Sequence, residues 1–141
     1  YVAGAPRDAI DRLTTFGWTL GMAFQIMDDC LDLIGDQQVV GKTLRSDLEK
    51  GSLSLPIIYL ARRLSASERR RLFAPLRRRH ATPAFARSVA NAANRSGAIG
   101  QAKARAEQFA REATDVLAQR NGIALVETYA HLARYAIERR S

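Results

Sequence analysis

The sequence predicts an all-α fold, a helical bundle joined by short loops. Three observations predict it. Apolar residues recur at helical spacing early in the chain, through Leu13, Phe16, Leu20, Phe24, Met27, Leu31 and Ile34. Helix start signals then recur: Ser54 ahead of Pro56, the S-x-x-E pattern Ser65-Ala66-Ser67-Glu68, and Thr82 ahead of Pro83. Strand-like alternation of apolar and polar residues is absent over any useful length.

The first helix is expected from about Asp8 to Ile34, with Pro6 near its start. Gly35 to Lys42 is bounded by glycines and reads as a loop, and Asp47 to Gly51 as a short turn or helical start. Ser54 caps a helix with Pro56 in its first turn, running to about Leu64. The capping box at Ser65 opens a helix to about Leu76. Thr82 and Pro83 open another, which Gly97 ends. Ala98 to Gln119 is a long helical pattern with Asn121-Gly122 as its stop signal, and Leu125 to Arg139 is the last helix. No internal repeat or low-complexity linker interrupts the chain, so residues 1–141 read as one domain or part of one.

Composition narrows the function classes. The hydrophobic fraction of 47% suffices for a core, and no run of some 18 apolar residues marks a membrane span. A secretory signal is absent too, which points to the cytoplasm. The chain begins with Tyr rather than Met, as a processed product or a piece of a longer chain would. Its single cysteine, Cys30, excludes an internal disulfide and suits a reducing compartment. Neighbouring carboxylates raise the pKa of Cys30, so it reads as a packing residue rather than a nucleophile.

Lys and Arg number 22 against 14 acidic residues, a formal net charge of +8. Such a surplus suits nucleic acid, an anionic membrane surface or phosphorylated metabolites. The runs Arg69-Arg70-Arg71 and Arg77-Arg78-Arg79 carry no interleaved aromatics of the kind a single-strand binder uses. They read as solvated helix faces, and no nucleic-acid partner is expected.

Against that basic background, Asp28, Asp29 and Asp32 place three carboxylates within five residues. On a helix Asp28 and Asp32 share a face, Asp29 neighbours Asp32, and Gln25 lies one turn before them. Like charges so spaced destabilise a bare helix by roughly 0.2–0.5 kcal/mol per pair. A divalent metal would convert that repulsion into ligation, and all-oxygen donors suit Mg²⁺ better than Zn²⁺. A solvated acidic face beside Lys or Arg is the competing explanation for a bare DDxxD. Further along, Gly41 allows a sharp turn, and Lys42 supplies a point charge for a phosphate oxygen. Asp47, Gly51, Ser54 and Pro56 follow. Carboxylates followed by a lysine on a glycine-flanked loop are the parts needed to hold a Mg-diphosphate.

The string Gly21-Met22-Ala23-Phe24-Gln25-Ile26, Asp28-Asp29-x-x-Asp32, Gly35-Asp36, Gly41-Lys42 and Ser46-Asp47-Leu48 through Leu55-Pro56 resembles the second aspartate-rich region of the trans-isoprenyl (polyprenyl) diphosphate synthases. Ser96-Gly97-Ala98-Ile99 and Tyr135 to Arg139 resemble that family's late helices. The resemblance covers most of this chain but only the C-terminal half of a family member. It implies the isoprenoid synthase fold and a prenyltransferase that condenses isopentenyl diphosphate with an allylic diphosphate. It also implies Mg²⁺ held by Asp28, Asp29 and Asp32, with Asp28 and Asp32 the foremost ligands. Gln25 and Lys42 are implied as catalytic contacts to the bound diphosphate. Phe24 is implied as a pocket wall, and Asp47 as positioning the loop or a metal-bound water.

Two departures qualify the match. Where the family often has a lysine after the glycine matching Gly51, Ser52 stands here, with Lys50 the possible substitute. The family's first aspartate-rich motif is not in the 141 residues, so this chain alone is expected to be inactive. The implied assembly is a homodimer, or a pairing with a chain that supplies the first motif. The alternative is a regulatory or partner subunit of a heteromeric synthase. Terpene cyclases share a carboxylate cluster, but the Gly41 to Pro56 string fits elongation better. Gly51 to Ile58 looks more like the long-chain branch, whose products would favour peripheral membrane contact aided by the basic surface.

Overall fold

The computed structural model describes residues 4–34, 53–77 and 82–118, together with His131 and Tyr135. Among the described residues all regular structure is helical: α1 (Arg7–Ile34), α2 (Leu55–Arg63), α3 (Ala66–Leu72), α4 (Ala74–Arg77), α5 (Pro83–Arg95) and α6 (Ala98–Ala118). The expected last helix lies outside the described residues, except that His131 and Tyr135 are helical.

Local chemistry accounts for most helix ends. Ser65 closes the expected capping box on α3: its hydroxyl accepts from the Glu68 N–H at 3.3 Å, and its own N–H donates to Glu68 Oε2 at 2.9 Å. Thr82 caps α5 by accepting from the Phe85 N–H at 3.2 Å, with Pro83 as the first helical residue. Ser54 precedes α2 as expected, but its hydroxyl makes no capping bond. There the first turn relies on the Ser54 carbonyl, which accepts from the N–H groups of Ile57 and Ile58, each at 3.0 Å. Gly97 separates α5 from α6 at φ +73°, a conformation that favours glycine.

One expected helix is broken. The pattern starting at Ser65 predicts continuity to Leu76, whereas α3 stops at Leu72 and α4 starts at Ala74. Pro75 explains the break, because it cannot donate to the Arg71 carbonyl and its ring crowds that turn. It is tolerated in the first turn of α4, where its missing N–H costs nothing.

The chain forms two compact units, Tyr1–Met27 with Ala104–Arg140, and Asp28–Lys103 with Ser141. In the first unit Phe16, Ala113 and Leu117 are buried together, with Leu20 packed against them. Trp18 meets Phe109 edge-on, with centroids 5.8 Å apart, and the Arg105 guanidinium sits 4.0 Å above the Phe109 ring. Buried Thr19 satisfies its hydroxyl within the helix, donating to the Thr15 carbonyl at 2.8 Å.

In the second unit α2 packs on α5. Ile57, Leu60 and Val89 are completely or almost completely buried, beside the small side chains of Ala86, Ala90 and Ala93. Small residues let helix axes approach closely. Arg63 ties the end of α2 to the α5–α6 junction, donating to the Ser96 carbonyl at 2.7 Å and to Gln101 Oε1 at 2.9 Å.

Only part of the apolar series on α1 is buried. Leu13, Phe24 and Ile34 are exposed, and Leu20 and Leu31 only half-buried. The buried line runs through Phe16, Thr19, Ala23, Ile26, Met27, Cys30 and Leu33. The helix packs through a mixture of large residues (Phe16, Ile26, Leu33) and small or sulfur-bearing ones (Thr19, Ala23, Met27, Cys30), and leaves Leu13, Phe24 and Ile34 outward.

Candidate functional site

The candidate site is carried by the C-terminal half of α1. One unbroken helix holds Phe24, Gln25, Asp28, Asp29 and Asp32, so their spacing of three and four residues places Gln25 and the carboxylates on neighbouring turns. Gln25 and Asp32 are exposed, Asp28 and Asp29 half-buried. Phe24 is 39% exposed, four residues before Asp28 and on the same side of the helix. Lys42 and Asp47 lie outside the described residues.

Cys30, inside the acidic run, takes no part in that surface. It is completely buried and donates weakly to the Ile99 carbonyl at 3.9 Å. Burial pushes its thiol up to about 11; Lys103 opposes this, and Asp29 adds to it. The expected packing role therefore stands, but desolvation is the main cause of the shift, ahead of the neighbouring carboxylate.

The donor set suits a hard divalent cation, because every candidate ligand is a carboxylate oxygen on a solvent-reachable face. Among the described residues no three carboxylate, histidine or cysteine side chains close into a cage around one point. A cation on this face would complete its shell with water and with oxygens from its ligand. Mg²⁺ commonly binds that way, through one or two carboxylates plus phosphate oxygens.

The sequence profile of the polyprenyl synthetase family matches residues 1–93. The chain belongs to that family. Its fold is accordingly the all-α isoprenoid synthase fold. It is similar to geranylfarnesyl diphosphate synthase of Aeropyrum pernix, 32% identical over 117 residues, which are 83% of this chain and 36% of that protein. It is also similar to heptaprenyl diphosphate synthase component 2 of Geobacillus stearothermophilus, 47% identical over 57 residues, 40% of this chain and 18% of that protein. Among solved structures, polyprenyl synthase from Caulobacter crescentus CB15, complexed with calcium and isoprenyl diphosphate, superimposes with a TM-score of 0.83. That match is 29% identical and covers 99% of this chain and 42% of the other. The chain thus spans well under half the length of the relatives it matches.

Proposed function

We propose that this polyprenyl synthetase chain supplies the second aspartate-rich wall of a Mg²⁺-dependent trans-polyprenyl diphosphate synthase. The reaction joins isopentenyl diphosphate to an allylic diphosphate. The observation that carries the reading is the Phe24-Gln25-x-x-Asp28-Asp29-x-x-Asp32 series on one helix, in a chain similar over its whole length to a synthase complexed with calcium and isoprenyl diphosphate.

In this reading Asp28 and Asp32 would hold Mg²⁺ by their carboxylate oxygens, and Asp29 would add negative charge beside them. Bound Mg²⁺ would draw electron density from the diphosphate leaving group. Gln25 orients a diphosphate oxygen through its amide N–H groups, and Lys42 neutralises the charge that grows there as the allylic C–O bond ionises. Phe24 lines the side of the pocket and keeps water from the allylic cation. The isopentenyl double bond attacks that cation, and loss of a proton restores neutrality in the hydrocarbon. Asp47 positions Lys42 or a metal-bound water. The facing carboxylates come from a first aspartate-rich motif outside these 141 residues, on the same polypeptide or on a partner, so this chain alone does not turn over.

Calorimetric titration of inorganic pyrophosphate, with and without Mg²⁺, tests the metal site. Wild-type binding is expected to require Mg²⁺ and to weaken about tenfold or more in Asp28→Ala, the loss of one charge-assisted ligand. Equal binding by both proteins would sink the assignment.

A second reading has its own support: the 47% identity to a protein named as one component of a heptaprenyl diphosphate synthase. The chain would then act as a partner subunit. Product formation would appear only with the other component present; turnover by the isolated chain rejects this reading.

A further inference from the structure

A cleft in the unit Asp28–Lys103 involves none of the residues assigned above. It lies between α3–α4 and α5, with a volume of about 560 Å³. Small-molecule sites span roughly 300–1,000 Å³. On its α5 side Ser88, Asn91 and Arg95 follow one another at three and four residues, so one exposed stripe presents a hydroxyl, an amide and a guanidinium. Arg71 comes from the α3 side, and half-buried Leu72 and buried Phe85 supply an apolar lining.

Positive charge outnumbers negative in the cleft: Arg71 and Arg95 stand against one carboxylate, and Arg71 is near enough to that carboxylate to help lower its pKa. That single acid, Glu68, is committed to capping α3: Glu68 Oε2 accepts from the Ser65 N–H at 2.9 Å and lies 2.6 Å from the Ser65 hydroxyl. Arg95 has no hydrogen-bond or ion-pair partner among the described residues, although its guanidinium carries a fixed charge and five donors. A concave surface that combines two arginines, two neutral polar groups and an aromatic lining matches a ligand with a charged head and a hydrocarbon tail.

We infer that this cleft binds a small amphipathic anion, a phosphate or carboxylate head on a short apolar chain. Arg71 and Arg95 take the head, Ser88 and Asn91 complete its hydrogen bonds, and Leu72 and Phe85 cover the tail. The inference does not rest on the prenyl-transfer reading, because the two sets of residues are separate.

Hexyl phosphate is the probe, followed by backbone amide shifts of the 141-residue chain in solution. Saturable shifts are expected at Leu72, Phe85 and Asn91, with inorganic phosphate binding at least about tenfold more weakly because it buries no methylenes. Arg71→Gln and Arg95→Gln should each weaken hexyl phosphate about tenfold while leaving the helical circular dichroism unchanged. Two results would overturn the inference: no saturable shift in the cleft, or shifts that persist unchanged in the double variant. Inorganic phosphate binding as tightly as hexyl phosphate would overturn it too, by removing the tail site. A parallel arm uses vesicles of phosphatidylglycerol. Sedimentation with vesicles but no response to hexyl phosphate would assign the arginines to surface adsorption and reject the cleft.

Discussion

Phe16→Ala and Phe24→Ala form a pair that tests the phase of α1. The residues are eight apart, so at 3.6 residues per turn they point about 80° apart around the helix. Phe16 is 6% exposed and packs in the cluster with Leu20, Ala113 and Leu117, whereas Phe24 is 39% exposed. Truncating Phe16 removes nearly a full side chain of burial and leaves a void, which costs about 3–5 kcal/mol. Truncating Phe24 removes roughly three-fifths of such burial and opens onto solvent instead of a cavity. Taking about 1.5–3 kcal/mol for complete burial, the loss is about 1–2 kcal/mol. Urea unfolding, followed by circular dichroism and by the fluorescence of the single tryptophan, Trp18, measures both. Trp18 lies against Phe109 in the same compact unit as Phe16, so its emission reports on the affected core. Equal costs, or a larger cost at Phe24, would refute that phase.

Arg63→Ala should destabilise by about 1–3 kcal/mol, because it removes two charge-assisted bonds between α2 and the α5–α6 junction. Arg63→Lys should recover less than half of that, since an ammonium cannot reproduce the fork; thermal melts check both. Ser65→Ala should cost about 1 kcal/mol, read as a lower urea midpoint, by removing the hydroxyl that accepts from the Glu68 N–H and leaving only the backbone-donated half of the capping box. Cys30 should resist thiol reagents at pH 8 in the native protein and react once unfolded, as titration with a chromogenic disulfide would show. Its folded pKa is raised, from 9.0 to about 11, so the folded state holds the proton more tightly. Stability is therefore fully present below pH 9 and falls between pH 9 and 11 as only the unfolded thiol ionises. Cys30→Ala should lack that fall; an unchanged slope would refute it.

Helix boundaries were legible where they depend on near neighbours. Ser65 with Glu68, and Thr82 with Pro83, decide their own caps within four residues, and the structure follows them. The break at Phe73 was legible in principle, because Pro75 carries the reason in its missing N–H. The face of α1 that packs was not. Large apolar residues lie on two adjacent sides of that helix, and only contact with other elements selects between them. Thr19, Ala23 and Cys30 win the core through small volume, and Thr19 carries its own hydrogen-bond acceptors in the preceding turn. The Arg71–Arg95 cleft was missed for a related reason. The cleft pairs one arginine of a run with an isolated one 24 positions later, a proximity that adjacency in sequence does not show.

The packing face of α1 bears on the proposed site. Leu13, Leu20, Phe24 and Leu31 form a line only partly covered within the described residues, and Asp28 follows Phe24 by one turn on the same side of the helix. A core stripe ending in carboxylates would be hard to explain, since each charge would be driven toward a dry interior. An apolar line exposed at Leu13 and Phe24, beside outward and half-buried carboxylates, is what an amphipathic ligand requires: hydrocarbon along one strip, a charged head at the next turn. This arrangement agrees with the proposed roles of Phe24 as a wall and Asp28 as a metal ligand. It also ties the two roles to one measurement. If Phe24→Ala costs less stability than Phe16→Ala yet weakens binding of an allylic diphosphate more than of inorganic pyrophosphate, the line serves the ligand's tail. Equal weakening of both would leave Phe24 supporting the carboxylates alone.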